Sequence, residues 1–581
     1  MVQFNDSKFL QHLDTVHAHE EEELIKTLAP QYGYEYVNLQ GYTMNPDALT
    51  SISEEASRKA GAVIFDKNRE TVFVAVKNPN SKESQDLFSH LEKDGKIVRV
   101  FMCSTASLKH GWKRYKDLKD ATAKQQGVLE INEEEIKIFM ERIKDRKSVA
   151  DEIMKIRNAG SARRISQTLQ IMFAGALKLG TSDIHIEPEK ESIRMRYRLD
   201  GVLQDVFELE LFVYERVMSR LKLLSGMILN QRQIAQDGRF TFTIHEKTIE
   251  VRSSVIPGAE GESIVMRLLD PSVASFSMEN IDLNPTLYNI LIEQLKRPNG
   301  LIITTGPTGS GKTTALYSFL RKTHTPEVKI ITIENPVEYK LQGIVQTQVD
   351  DDYTFGKGLR AILRQDPDII MVGEIRDREV AETALHAAQT GHLVFTTLHT
   401  NSAVGGFPRL IDLGVDSRMI GSSVNIILGQ RLVRLLCEHC KEAYQASEQE
   451  LKLIKDIVLT HPHAPEVPEP LTIYKPTGCE FCNQTGFKGR SGVFEAIIVD
   501  DAVEEAVIRD PREHVILQAA RPQGIPRMEH DGVDKILAGK TSLPELQRVV
   551  DLAAAIAEAK AIIHKDTSDD SLDDDFKTHV V

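Results

Sequence analysis

Short apolar runs rich in β-branched residues recur through the C-terminal half of the chain, and residues with helical spacing separate them. Such runs occupy residues 300–305, 329–333, 368–372 and 392–399. Uninterrupted apolar runs of this length are typical of strands covered on both faces, and helical stretches such as residues 314–320 would provide the cover. The pattern predicts an α/β fold built on a parallel sheet.

The N-terminal part of the chain shows a second, smaller α/β pattern. Residues 61–65 and 71–76 have the composition of strands, and residues 84–91 have helical spacing. No catalytic group of residues accompanies them. We therefore predict a small α/β domain that serves as a docking module.

A third pattern lies between these two parts. A helix is predicted at residues 162–179, and it is followed by strands with alternating polar and apolar residues. The first of these strands places Arg194, Arg196 and Arg198 on one face, which predicts a solvated or ion-paired surface. Arg252 and Arg267 lie on two later strands and can face one ligand.

The length of 581 residues is too great for a single core and predicts three or four domains. The predicted segments are an N-terminal docking domain at 1–108, a charged helical linker at 109–150, a middle domain at 151–270, a C-terminal α/β domain at 271–565 with an insert at 437–495, and an acidic tail at 566–581. The formal net charge of −14 argues against general attraction to nucleic acid.

The sequence also bears on location. Its first residues lack the basic and apolar regions of a secretory signal, and no run of about 18 apolar residues occurs. We therefore expect a cytoplasmic protein that reaches a membrane only through partners.

A glycine-rich turn lies between the first buried strand and the helix that follows it. It fits the pattern G-x-x-x-x-G-K-[ST], in which backbone N–H groups surround the phosphates of a nucleotide. Lys312 supplies a cation and the Thr313 hydroxyl is placed for Mg²⁺. The turn predicts a site for ATP and Mg²⁺. The predicted phosphate-binding residues are Gly306, Pro307, Thr308, Gly309, Ser310, Gly311, Lys312, Thr313 and Thr314.

Carboxylates follow two of the buried strands, at the end where parallel sheets bind ligands. Glu334 and Glu338 come after the second run, and Glu374 comes after the third. Acids in these places suggest hydrolysis by a positioned water. We assign Glu374 to Mg²⁺, directly or through water, and Glu338 to the attacking water, and the two roles are interchangeable. His392 and His399 flank the next run and are candidates either for sensing the γ-phosphate or for structural roles.

Five cysteines divide into one isolated residue and two C-x-x-C pairs. The paired residues are Cys437, Cys440, Cys479 and Cys482. Four thiolates with no open coordination position are typical of a structural, tetrahedral Zn²⁺ site. His439 as a ligand and a redox role for the two dithiols are the alternatives. Cys103 is predicted to be a buried strand residue.

Longer stretches resemble the ATPases of type II secretion and type IV pilus assembly. The stretches that carry the resemblance are the signature at residues 363–377, the aspartate box at residues 332–339 and the histidine box at residues 390–401. The similarity covers roughly residues 151–550, in the expected order. Asn335 stands where the family usually has aspartate, so that position carries no acid, while Glu334 and Glu338 are in place.

The resemblance implies a RecA-like P-loop ATPase core, a PAS-like middle domain and a hexameric ring in which the middle domain of one subunit closes over the nucleotide of another. By position, Arg252 and Arg267 match arginines donated by the middle domain, and Arg360 and Arg364 match arginines near the phosphates. A tetracysteine insert occurs in the secretion and pilus extension members. The residues assigned to catalysis are Lys312, Glu338, Glu374, Arg252, Arg267 and His399, and those added to the nucleotide-binding set are Glu334, Arg360, Arg364 and His392.

These observations predict a hexameric ATPase at the inner face of the cytoplasmic membrane that powers pilin assembly. It would act with inner-membrane platform or assembly proteins, and type II secretion is the alternative. A nucleic-acid translocase would need basic, aromatic-containing loops, which the acidic chain disfavours. A non-hydrolysing scaffold would be suggested by loss of Lys312 or Glu374, and both are present.

Overall fold

The computed structural model describes residues 21–42, 44–49, 51–52, 54–68, 71–93, 96–124, 133–157, 161–244, 247–270, 276–553 and 556–557. The chain forms two compact units, residues 1–129 and residues 130–581, and this division falls within the predicted linker. The predicted acidic tail lies outside the described residues.

The N-terminal unit contains a four-stranded sheet and the helices around it. Its strands are β1 (Glu35–Tyr36), β2 (Ala62–Lys67), β3 (Thr71–Val76) and β4 (Ile97–Met102), and its helices are α1 (21–28), α2 (Pro46–Leu49), α3 (Glu54–Ala60), α4 (Lys82–Lys93) and α5 (Thr105–Lys124). The strand order is β1-β4-β3-β2, with β3 and β4 parallel and joined by α4. Cys103 is buried, but it lies one residue beyond β4, where its N–H donates to the carbonyl of Val76 at 3.0 Å.

The second unit begins with four helices and an antiparallel sheet, which together form the middle domain. The helices are α6 (Glu133–Arg142), α7 (Arg146–Lys155), α8 (Ser161–Leu179) and α9 (Leu211–Leu224), and the strands are β5 (Thr181–Pro188), β6 (Ile193–Leu199), β7 (Val202–Glu208), β8 (Gln236–Ile244), β9 (Lys247–Gly258) and β10 (Gly261–Leu269). The strand order is β7-β6-β5-β10-β9-β8. Its apolar face packs on α8, where Phe173 meets Phe240 and Phe242, so the charged residues remain on the opposite face.

The remainder of this unit is organised by a seven-stranded sheet. The strands are β11 (Gly300–Thr305), β12 (Ile330–Glu334), β13 (Val345–Gln348), β14 (Ile369–Val372), β15 (Leu393–Leu398), β16 (Val424–Leu436) and β19 (Phe487–Ile498). The helices outside the insert are α10 (Pro285–Leu295), α11 (Lys312–Thr323), α12 (Phe355–Ile362), α13 (Arg378–Gln389), α14 (Gly406–Asp412), α15 (Ser417–Ser423), α17 (Asp501–Arg509), α18 (Glu513–Ala520), α19 (Met528–Leu537) and α20 (Leu543–Val549). The order is β13-β12-β14-β15-β11-β16-β19, and only β19 runs antiparallel to its neighbour. Apolar clusters cover both faces, as the uninterrupted apolar runs predict.

A small subdomain lies between β16 and β19. It contains β17 (Glu442–Gln445), α16 (Glu448–Val458) and β18 (Thr472–Lys475). Ile454 and Ile457 of α16 share an apolar cluster with Val533 and Ile536 of α19, so the insert packs on the ATPase domain. Because β19 starts at Phe487, the last residues of the predicted insert belong to the main sheet. Among the described helices, none is both long and apolar enough to cross a membrane.

Candidate nucleotide site

The glycine-rich loop runs from the end of β11 to the start of α11. Gly306, Gly309 and Gly311 have φ angles of 149°, 79° and 89°, which L side chains rarely adopt. A Cβ on Gly306 would also lie 2.5 Å from the carbonyl oxygen of Gln430. Glycine is therefore required here by both backbone conformation and space.

Lys312 lies inside this loop and is almost completely buried. Its Nζ donates to the carbonyl oxygens of Gly306 at 2.7 Å and Pro307 at 3.1 Å. Burial lowers the pKa of Lys312 to about 8, the charge of Glu374 raises it, and the charge of Arg431 lowers it. Burial disfavours the charged form of Lys312, and phosphate oxygens in the loop would stabilise it. The loop therefore fits a nucleotide.

The hydroxyl of Ser310 supports the same fit. Its Oγ is buried and makes no hydrogen bond with the described residues. A buried hydroxyl without a partner is costly, and an acceptor in the loop would satisfy it. The loop thus offers both a cation and an unpaired donor to a phosphate.

Glu374 and His399 meet at the ends of adjacent strands. Glu374 follows β14, and its Oε2 lies 3.1 Å from Nε2 of His399, which follows β15. Arg376 forms an ion pair with the other oxygen of Glu374. The charge of this carboxylate raises the pKa of Lys312. The residue proposed for Mg²⁺ and the residue proposed for the phosphates are therefore electrostatically coupled.

Glu338 contacts the middle domain. Its Oε2 lies 2.7 Å from Nη1 of Arg252 on β9, and Nη2 of Arg252 donates to the carbonyl of Val337. Arg267 on β10 is aligned directly with Arg252, and its Nε donates to Oδ1 of Asp183 at 3.0 Å. Both arginines that the sequence singled out therefore lie on the sheet face that meets the loop after β12.

Glu334 occupies a different environment from Glu338. It is buried, and its carboxylate accepts hydrogen bonds from Tyr317, Thr332 and Gln346. Burial raises the pKa of Glu334, while these hydrogen bonds lower it, and the net direction is upward. Glu334 thus connects α11, β12 and β13 beneath the Glu338 loop.

Three other predicted residues have partners outside the phosphate loop. Arg360 forms an ion pair with Glu379, and Nη1 of Arg364 donates to the carbonyl of Arg360 at 2.8 Å. His392 precedes β15, next to Gly300 at the start of β11. With about 3.3 Å per strand residue, that places His392 about 20 Å from the loop edge of the sheet. The structure brings His399, but not His392, to this edge.

Sequence reasoning missed two neighbours of the loop on β16. Gln430 lies against Gly306 and Gly311. The charge of Arg431 lowers the pKa of Lys312. Burial lowers the pKa of Arg431 itself, and the charge of Glu495 raises it, with a net downward shift. The strand at residues 424–436 was recognisable as an apolar run, but its position beside β11 was not, because parallel neighbours are not adjacent in sequence.

The four paired cysteines form one cluster, with all sulfurs within 4.8 Å of one another. The Sγ–Sγ distances are 3.8 Å for Cys437–Cys479 and 3.7 Å for both Cys440–Cys482 and Cys479–Cys482. A Zn–S distance of about 2.3 Å gives a tetrahedral S–S edge of about 3.8 Å, so the cluster fits Zn²⁺. Backbone N–H groups of Gly478, Cys479 and Gly486 donate to these sulfurs, which suits thiolates.

His439 lies between two of the cysteines in sequence but packs against Phe481, with ring centroids 4.2 Å apart and ring planes tilted by 42°. Within the described residues, the metal-binding group consists of the four cysteines alone. The thiolate set therefore accounts for a closed tetrahedral site without a histidine ligand.

A phosphate loop at the carboxyl edge of a parallel sheet, with a lysine inside it and acids from neighbouring strands beside it, defines a P-loop ATPase. Comparison with known proteins narrows this class. Residues 158–548 match the family described as Type II/IV secretion system protein, and residues 32–122 match the MshEN domain. The chain belongs to the type II/IV secretion system ATPase family, as its motifs predict.

Two relatives identified by sequence support this assignment. The chain is 41% identical over 387 residues to the type II secretion system ATPase E of Vibrio cholerae, covering 66% of this chain and 75% of that protein. It is 32% identical over 535 residues to the type IV pilus assembly ATPase PilB of Myxococcus xanthus, covering 91% of each. The structure of the ATPase DotB from Legionella pneumophila aligns with 66% of this chain and 94% of that chain, with 22% identity and a TM-score of 0.48.

Proposed function

We propose that this protein is the extension motor of a type IV pilus machine, a homohexamer that hydrolyses ATP at the inner face of the cytoplasmic membrane. Similarity to the pilus assembly ATPase of Myxococcus xanthus extends over 91% of both chains, which supports a shared domain plan. The N-terminal unit would dock the ring on inner-membrane platform or assembly proteins. No direct role for nucleic acid is included.

The observation that carries the motor proposal is the contact between Arg252 and Glu338. It joins a strand of the middle domain to an acid beside the phosphate loop, at an Nη1–Oε2 distance of 2.7 Å. A γ-phosphate in the loop would compete with Glu338 for this guanidinium. Binding and hydrolysis of ATP would then change how the middle domain is held against the ATPase domain.

We assign the chemistry as follows. Lys312 binds the phosphates, and Thr313 and Glu374 hold Mg²⁺, which would neutralise phosphate charge when bound. Glu338 accepts a proton from the attacking water, with Glu374 as the alternative base. Arg252 and Arg267 stabilise the charge that spreads over the γ-phosphate oxygens, and His399 orients Glu374 through their contact. The four-thiolate Zn²⁺ site is structural.

A type II secretion motor is the second candidate. The 41% identity to the Vibrio cholerae secretion ATPase favours it, although that match covers 66% of this chain. Both candidates assemble related filaments with the same ATPase site, so they differ in partner rather than in chemistry.

The test has a biochemical part and a cellular part. Purified wild-type protein should form a hexamer and hydrolyse ATP, while Glu338→Gln and Glu374→Gln should bind ATP and stall. Deletion of the gene should abolish surface pili and leave protein secretion intact. Loss of secretion with normal pili would instead assign the protein to type II secretion, and binding of ATP without turnover by the wild type would contradict the motor proposal.

A further inference from the structure

A row of charged side chains crosses the polar face of the middle-domain sheet. Direct cross-strand pairing aligns Arg239 of β8, Arg252 of β9, Arg267 of β10, Asp183 of β5 and Arg198 of β6. Residues paired directly across strands point to the same face of a sheet. Within this row of five, Asp183 is the one acid, and it stands between two arginines.

Both oxygens of the Asp183 carboxylate have partners. Oδ1 accepts from Nε of Arg267 at 3.0 Å, while Oδ2 accepts from Oγ of Ser182 at 2.9 Å and lies 3.2 Å from Nε of Arg198. The side chain of Asp183 is only 7% exposed. A buried carboxylate is tolerated when it is paired and hydrogen-bonded, and its position is then well defined. Asp183 is thus a fixed anchor for Arg267.

The anchor holds Arg267 by Nε and leaves its terminal nitrogens for another acceptor. The side chain of Arg267 is 55% exposed, so the guanidinium is accessible. Burial lowers the pKa of Arg267, but Asp183, Glu338 and Tyr339 raise it, and the net direction is upward. Because Arg267 is aligned directly with Arg252, and Arg252 contacts Glu338, the Arg267 side chain lies on the sheet face that meets the loop after β12.

We propose that Asp183 is a positioning residue for ATP hydrolysis, because it fixes Arg267 through Nε and presents the terminal nitrogens to the γ-phosphate. The inference rests on the phosphate contact proposed above for Arg267. An arginine stabilises a transition state most effectively when its geometry is set before the reaction. Asp183 also offsets the repulsion among the aligned arginines, which would otherwise favour other rotamers of Arg267.

The test uses the full chain with Asp183→Asn, which keeps the size of the side chain and removes its charge. We expect kcat to fall about tenfold, as is typical when a partner that orients a reactive group is lost. Affinity for ADP should not change, because ADP lacks the γ-phosphate. The matched control is Glu187→Gln, on the same strand and face, where the carboxylate pairs with His185 and Arg196. This control should retain wild-type kcat.

A double variant distinguishes positioning of Arg267 by Asp183 from a general loss of stability. Asp183→Asn combined with Arg267→Ala should be no slower than Arg267→Ala alone, because the anchor then has nothing to position. The inference would be overturned if the two substitutions reduced kcat independently, so that their losses multiplied in the double variant. It would also be overturned if Asp183→Asn kept the wild-type kcat while Arg267→Ala was slow. Either result would leave the proposed function standing. Full activity of Arg267→Ala would remove the phosphate role of Arg267 and the inference together.

A second variant covers the case in which Asp183→Asn does not fold. Arg267→Lys keeps the positive charge but has no Nε–H group for Asp183 to hold. We expect it to lose as much turnover as Arg267→Ala while binding ADP normally. Turnover near the wild-type rate in Arg267→Lys would show that the anchor is dispensable, and it would overturn the inference.

Discussion

At the scale of single residues, the site is defined by which acid meets which cation. Glu374 contacts His399 and Arg376, Glu338 contacts Arg252, and Glu334 is buried among neutral donors. A general base must reach the water that it activates. Glu334 is enclosed beneath the loop, so Glu338 and Glu374 remain the candidates for that role.

The ion pair between Arg252 and Glu338 leads to a prediction about affinity. Their side chains are 22% and 28% exposed, and breaking such a pair costs up to about 1 kcal/mol. If the γ-phosphate takes Arg252 from Glu338, then Glu338→Gln should bind ATP about two- to fivefold more tightly and ADP unchanged. Competition with a fluorescent nucleotide measures both affinities.

The control for this prediction is the same substitution in an Arg252→Ala background. There the gain in ATP affinity should disappear, because no pair remains to be broken. A gain that persists in that background would mean that removal of a negative charge near the phosphates, rather than release of Arg252, strengthens binding.

At the scale of elements, the apolar runs predicted the parallel strands because burial on both faces leaves a clear mark in the sequence. Strand order left no such mark, so the positions of Gln430 beside Gly306 and of Asp183 opposite Arg267 were not predictable. His392 shows how strand direction decides which residues reach the site. It precedes β15, so it lies at the amino-terminal edge of the sheet, whereas ligands bind at the carboxyl ends of parallel strands. Strand direction alone separates it from His399.

The proposed zinc site leads to a prediction about the insert, since metal binding at such a site contributes to folding stability. Its two cysteine pairs connect segments about 40 residues apart, and their four sulfurs meet in one cluster. Cys440→Ser together with Cys482→Ser should therefore abolish zinc binding and make residues 437–486 sensitive to protease. Metal analysis and limited proteolysis check this result.

Cys103→Ala provides the matched control for zinc binding. Cys103 is a free, buried cysteine of the N-terminal unit, far from the cluster in sequence. This variant should retain one zinc per chain. An unchanged zinc content in the double serine variant would contradict the four-thiolate site.

The contact between the insert and α19 should respond to pH through His530. Nδ1 of His530 accepts from the backbone N–H of Arg527, and Nε2 lies 3.1 Å from Oγ1 of Thr460. Burial, with the charges of His461 and Arg527, lowers the pKa of His530 to about 3. Between about pH 6.5 and 3 the unfolded chain binds this proton and the folded chain does not. Stability contributed by His530 is thus complete above about pH 6.5 and declines as the pH falls.

His530→Gln tests this sign, because glutamine stays neutral while it can still accept and donate hydrogen bonds. From pH 7.5 to 5.5 the wild type should lose up to about 1.4 kcal/mol per pH unit below 6.5 relative to the variant. Denaturant unfolding at each pH, followed by a probe on α19, measures the difference. Equal pH dependence in the two proteins would exclude His530 as the source.

At the scale of the whole molecule, the question is whether one active site works alone. Arg252 of the middle domain reaches the Glu338 loop of its own chain, and a ring would bring a second set of surfaces to each site. The proposed hexamer couples sites through movements of these domains, so one stalled subunit should impede its neighbours. Coupling of this kind is measurable without a membrane partner.

Mixed rings provide that measurement. Wild-type chains and Glu338→Gln chains are mixed under dissociating conditions, reassembled at fixed total concentration, and assayed for ATP turnover across all ratios. Independent sites would give a rate that falls in proportion to the fraction of variant. Coupled sites should give far less than half the rate at equal mixing, because nearly every ring then contains a stalled subunit. A matched mixture with Glu187→Gln, whose own turnover is expected to be normal, should show no loss at any ratio, so a linear decline with Glu338→Gln would mean that the subunits of the ring hydrolyse ATP independently.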